Sequence, residues 1–184
     1  MKVLVVVDMQ NDFIDGSLGT KEAQAIVPNV KKKIESAVKN GDLIIYTRDT
    51  HFTDYLDTKE GKKLPVKHCI YKTDGWRIPS ELMPPSTYSN AHIFDKNTFG
   101  YYKLPTKIRA MLLNDNMFTD CTEIEVVGLC TDICVVSNAL LLKSEFYEEI
   151  EVSVDAACCA GVTPETHEAA LKTMEMCQIN VKRG

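Results

Sequence analysis

Val3 to Val7 is an unbroken apolar run, too short for a buried helix and without polar alternation, the pattern of a strand covered on both faces. Further strand-like runs, several of them interrupted by polar residues, lie at Leu43–Thr47, His92–Lys96, Ile124–Val127, Glu149–Val154 and Ile179–Val181. Helical periodicity fills the gaps between them. Pro28 is read as a first helical residue, with Val30, Ile34 and Val38 as the apolar stripe and Asn40-Gly41 as the stop. Leu104–Leu113 and Thr163–Met176 are further helices, and Trp76–Leu82 a shorter one. After the fourth strand Gly128 permits a turn, and Thr131 or Asp132 caps a helix that runs to Lys143. Strands alternating with helices predict an α/β fold: a three-layer, doubly wound, mostly parallel six-stranded sheet with helices on both faces.

Composition narrows this picture without redrawing it. The 184 residues, 45% of them hydrophobic, suit one compact domain over residues 1–184. A formal net charge of −5 and the lack of long basic runs argue against nucleic acid as a partner, and no apolar run approaches membrane-spanning length. A small molecule is the expected partner. Seven cysteines, an odd number, with no signal-peptide pattern at the start, favour free thiols in a reduced, cytoplasmic setting over a disulfide framework.

The candidate chemistry gathers at strand ends. In a parallel sheet functional groups collect just past the carboxyl ends, and Asp8, Asp49, Lys96 and Cys134 each follow a strand or open the next helix. They are predicted to share one rim. Cys134, in the first helical turn, faces the positive end of the helix dipole, which favours thiolate, and its amide together with that of Cys130 is suited to an oxyanion. Lys96 nearby is expected to lower the thiol pKa further. Asp49 and His51, two apart in an extended segment, can face one side, and His68 in a proline-stiffened loop is a third candidate ligand. One carboxylate and two imidazoles suit zinc, iron or manganese. Phe13 either walls a pocket or packs in the core. His167 and Cys121, Cys158, Cys159 and Cys177 lack the combination of strand end and helix start, and are read as packing or surface residues.

With those residues in hand, the chain resembles the isochorismatase-like cysteine hydrolases, and among them most closely the nicotinamidases. The likeness spans nearly the whole sequence and rests on Val7-Asp-Met-Gln-Asn-Asp-Phe13, Thr47-Arg-Asp-Thr-His51, Pro65-Val-Lys-His-Cys69, Phe94-Asp-Lys-Asn97 and Val127-Gly-Leu-Cys-Thr-Asp-Ile-Cys-Val135. It implies a catalytic triad of Asp8, Lys96 and Cys134, a divalent metal on Asp49, His51 and His68, and a cis peptide between Cys130 and Thr131 beside an oxyanion hole of the Cys130 and Cys134 amides. It also implies a homo-oligomer. Leu64 stands where many nicotinamidases carry a ring-stacking tryptophan, which leaves Trp76 or Phe13 to supply ring contact. The expected activity is hydrolysis of a small planar amide, nicotinamide to nicotinate and ammonia, through a Cys134 thioester. The alternatives are another substrate of the same triad, such as a ureido or carbamoyl compound or isochorismate, and a thiol redox protein using Cys130 and Cys134. Their Cys-x-x-x-Cys spacing disfavours the redox reading, and no Gly-x-Gly-x-x-Gly follows the first strand to support a nucleotide binder.

Overall fold

The computed structural model describes residues 1–114 and 116–183. Six strands, β1 (Lys2–Val7), β2 (Leu43–Asp49), β3 (Ala91–Lys96), β4 (Glu123–Leu129), β5 (Glu151–Ala160) and β6 (Asn180–Lys182), form one sheet in the order β3-β2-β1-β4-β5-β6. All adjacent pairs are parallel. The order reverses between β1 and β4, so the crevice beyond the carboxyl ends of those two strands is where such a sheet offers a ligand site. Asp8 leaves β1 there, and Cys134 follows β4.

Alternate residues of β1 feed two separate cores. Val3, Val5 and Val7 pack with α3 (Leu104–Asn114), α4 (Val136–Phe146) and α5 (Pro164–Met176) on one face, while Leu4 and Val6 pack with α2 (Lys21–Asn40) on the other. A buried valine of this kind contributes about 1.5–3 kcal/mol. A four-residue helix, α1 (Asn11–Ile14), fills the turn after β1. No helix among the described residues is long and apolar enough to cross a membrane.

Three local expectations give way to the tertiary structure. Helix α2 starts not at Pro28 but seven residues earlier: Thr20 is its N-cap, its hydroxyl accepting from the Ala23 amide at 3.0 Å, and Ala23 and Ile26 extend the buried stripe of Val30, Ile34 and Ala37. Packing of that stripe on the sheet outweighs the backbone bond Pro28 forfeits. Strand β5 runs on through Asp155 to Ala160, because its second half pairs with Gly128 and Leu129 after a register shift. Trp76 to Pro79 is irregular, and only Ser80–Leu82 makes a 3-10 turn.

Gly128 lies inside β4 and makes no turn. Its φ is +119°, and a Cβ at this position would come within 2.1 Å of the Val7 carbonyl oxygen. Glycine is therefore required for β1 and β4 to approach where they deliver Asp8 and Cys134. Gly128→Ala is expected to lower the unfolding free energy by about 2 kcal/mol or more, read by urea titration. A variant as stable as the parent chain would contradict this close approach.

Candidate active site

Asp8 is the first residue beyond β1, and the chain turns sharply there, with a φ of +48°. Its amide donates to the Thr47 carbonyl at 3.2 Å, and Thr47 Oγ1 donates to Asp8 Oδ1 at 2.7 Å. Lys96, at the end of β3, brings Nζ to 2.6 Å from Asp8 Oδ2, 3.6 Å from Cys134 Sγ and 3.8 Å from Asp49 Oδ1. The ammonium thus sits among three of the residues expected at the rim. The contact to Asp8 Oδ2 is an ion pair without a directed hydrogen bond.

All three side chains are buried, and burial sets their protonation. It pushes the Asp8 carboxyl up, with Lys96 pulling it back. Lys96 stays firmly charged, since the neighbouring Asp8, Cys134 and Asp49 outweigh the cost of its burial. The Cys134 thiol is pushed well up by burial and by the Asp8 carboxylate, more than Lys96 lowers it. This reverses the expectation of a resting thiolate: helix position and one ammonium do not offset a desolvated sulfur beside an acid.

The nucleophile's turn also differs from its expected form. Thr131–Val135 is a single π-helical turn, in which the Ile133 and Val135 amides both donate to the Cys130 carbonyl, at 3.1 and 3.0 Å. Neither Thr131 nor Asp132 caps α4. The Thr131 hydroxyl instead pairs with His167 Nδ1 at 2.8 Å, and the Asp132 carboxylate accepts from the Val162 amide at 3.0 Å. The cis peptide is Leu129–Cys130, one bond earlier than the resemblance implied, and this bond carries the Cys130 N–H itself. Buried Asn138 then ties the region together, donating to the Cys134 carbonyl at 2.8 Å and accepting from the Tyr101 amide at 2.9 Å.

Beside this group lies the second cluster. Asp49 Oδ2 is 2.9 Å from His51 Nε2 and 3.4 Å from His68 Nε2, and one ligand atom from each residue lies within 4.8 Å of the others. The His68 segment reaches His51 through an isolated parallel bridge, with the His51 amide donating to the Cys69 carbonyl at 3.0 Å. His68 Nδ1 is 2.8 Å from the Val66 carbonyl, so Nδ1 carries a proton and the ring turns Nε2 toward Asp49. His51 Nε2 is buried without a hydrogen-bond partner among the described residues. Asp49 is held well below the usual carboxylate range: burial works against its charge, but His51, His68 and Lys96 prevail. An ionised carboxylate and two imidazole nitrogens converging in a buried site, one of them unpartnered, fit a divalent cation.

A cavity of about 230 Å³ joins the two clusters, its walls including Cys130 and Cys134 together with Asp49 and His68. Phe13 lines it, with its ring 5.5 Å from that of His68, and also packs against the core on the α2 side of the sheet. Trp76 does not line it; its indole donates to Thr50 Oγ1 at 2.9 Å beneath the Arg48 guanidinium. Leu64, at the position of the absent tryptophan, is a wall residue, and Phe99 and Glu60 are wall residues that reading the sequence missed. Glu60 Oε1 also stands 3.7 Å from His51 Nε2. It sits in a run of lysines and turn residues with no local signal; only the fold of residues 55–64 around buried Tyr55 brings it in.

The isochorismatase domain matches residues 2–182. The nicotinamidase of Saccharomyces cerevisiae is 26% identical over 98% of this chain and 99% of its own length. A protein of Arabidopsis thaliana described as a probable inactive nicotinamidase is 27% identical over 97% of this chain and 89% of its own. Among solved structures, the pyrazinamidase of Pyrococcus horikoshii in complex with zinc superposes with a TM-score of 0.79, at 26% identity, covering 100% of this chain and 99% of that one. On a domain match that takes in every strand and both buried clusters, the chain belongs to the isochorismatase family of hydrolases.

Proposed function

We propose that the chain hydrolyses a small, uncharged ring amide, with nicotinamide to nicotinate and ammonia as the leading case. The observation that carries this is an apolar cavity with a buried thiol on one wall and the Asp49–His68 pair on another. No lysine or arginine is among the described residues that line it, while Asp49 and Glu60 are. An isochorismate or ureido-acid carboxylate would find no basic side chain on these walls and only the cation as a counter-charge, so the neutral amide is favoured.

In the forward reaction Asp8 takes the proton of Cys134 as Sγ attacks the amide carbonyl. A raised carboxyl pKa makes Asp8 a better base than an ordinary aspartate, and the thiol, protonated at rest, needs one. The amides of Cys130 and Cys134 receive the oxyanion. The C–N bond breaks with the Asp8 proton passing to nitrogen, ammonia leaves, and a Cys134 thioester remains. Asp8 then deprotonates water, whose attack on the thioester releases the acid and restores the thiol. Lys96 holds Asp8 in place and balances its charge throughout. A divalent cation on Asp49, His51 and His68, with zinc favoured and iron or manganese as alternatives, would supply a Lewis-acidic anchor for a ring nitrogen. Phe13 and Phe99 give the ring its apolar walls.

Ammonia release from a panel of amides tests this. Nicotinamide and pyrazinamide are expected to be cleaved and benzamide, lacking the ring nitrogen, to be poor, with chelation harming mainly the first two. Equal rates on benzamide and nicotinamide would remove the ring-nitrogen anchor. Activity on a ureido acid alone would transfer the site to the other substrate class.

A further inference from the structure

We propose that Gln10 and Asp12 are positioning residues that hold both metal-binding segments in register with the Asp8 turn, an inference resting on the assignment of a divalent cation to Asp49, His51 and His68. The sheet itself creates the need. β1 and β2 stay paired as far as Val7 and Thr47, after which the chain turns away at Asp8 and leaves the backbone of Asp49 without a strand neighbour on that side. The fully buried side chain of Gln10 takes the neighbour's place. Its Oε1 accepts from the Asp49 amide at 2.7 Å and its Nε2 donates to the Asp49 carbonyl at 2.9 Å, while the same Nε2 donates to the Trp76 carbonyl at 2.9 Å. A side-chain amide offers one donor group and one acceptor, as a peptide does, so it continues the ladder by one residue while the main chain is free to aim Asp8 elsewhere.

Asp12 does the corresponding work for the His68 segment. Its Oδ2 accepts from the Cys69 amide at 2.7 Å, and Cys69 holds a left-handed φ of +47°, a conformation that a side chain rarely adopts without external support. Asp12 is fixed in turn, its amide donating to the Gly75 carbonyl at 3.0 Å. Gly75 leaves room for it, since a Cβ there would come within 2.1 Å of Asp12 Oδ2. One short segment thus carries the carboxylate at the thiol and grips the backbones of Asp49 and Cys69. Neither Gln10 nor Asp12 is among the residues lining the cavity, so both act through the ligand segments they hold.

The experiment is zinc affinity by chelator competition, with thermal unfolding of the metal-free protein measured in parallel. Asp12→Ala and Gln10→Leu are each expected to weaken zinc binding by about 10–100-fold, the usual range for groups that orient metal ligands. Asp12→Asn, which keeps an acceptor oxygen for the Cys69 amide, should recover most of the Asp12→Ala loss. A purely structural role would lower the melting temperature of the metal-free variants with zinc affinity unchanged, and that result overturns the proposal. So does an Asp12→Asn variant as weak as Asp12→Ala. A parent chain that binds no zinc would remove the metal assignment as well, whereas zinc bound equally by parent and variants removes the positioning role alone.

Discussion

Cys134→Ala is expected to abolish amide hydrolysis, a loss on the order of 10⁴- to 10⁶-fold in kcat, because no other side chain can form the acyl intermediate. The sulfur is the atom that Lys96 contacts at 3.6 Å, it lies on the cavity wall, and its carbonyl is fastened by Asn138. Cys130 lines the same cavity and burial raises its thiol too, but the lysine makes its described sulfur contact with Cys134. Cys130→Ala should therefore retain most of the activity. Single-turnover trapping followed by mass spectrometry reads the outcome directly. An acyl adduct on Cys130, or a Cys134→Ala enzyme within tenfold of the parent, would sink the assignment.

The second large effect falls on stability as well as rate. Lys96→Met is expected to lower the unfolding free energy by about 3–5 kcal/mol at neutral pH, since it leaves the buried Asp8 carboxylate without the ammonium 2.6 Å away. Without Lys96 the folded-state pKa of Asp8, already raised by burial, climbs further above its unfolded value. The folded variant then takes up a proton that the unfolded chain does not hold, so the deficit should shrink as pH falls through that raised pKa. Asp8→Asn combined with Lys96→Met should recover much of the stability and none of the activity. Urea titrations of the three variants at two pH values check both parts. A deficit that is independent of pH, or a double variant as unstable as Lys96→Met alone, would mean that the pair is not coupled as described.

Asp8, Lys96 and Cys134 were placed at one rim by a simple rule. Each follows an apolar run, parallel strands bury their faces between helices, and their carboxyl ends are where the chain regains solvent and polar freedom. The structure puts them within the distances of one ammonium's reach. Asp49, His51 and His68 converged for a related reason, the first two through strand periodicity and the third through a bridge that no local pattern announces. The start of α2 was legible too, in Thr20 and the spacing of Ala23 and Ile26, but the strong local preference of Pro28 for a first turn masked it.

What the sequence determined by itself was the order of strands and helices and the residues left at strand ends, because these depend on side-chain pattern over a few neighbouring positions. The tertiary structure alone decided the rest. Burial keeps the Cys134 proton in place, and burial is a property of everything packed around the sulfur. Phe13 rather than Trp76 faces the cavity, Glu60 is drawn to its wall, and the Gln10 amide substitutes for a missing strand partner. Each of those outcomes depends on which distant segments meet, and a contact between residues tens of positions apart is set by the packing of whole elements, of which no single stretch of chain carries a record.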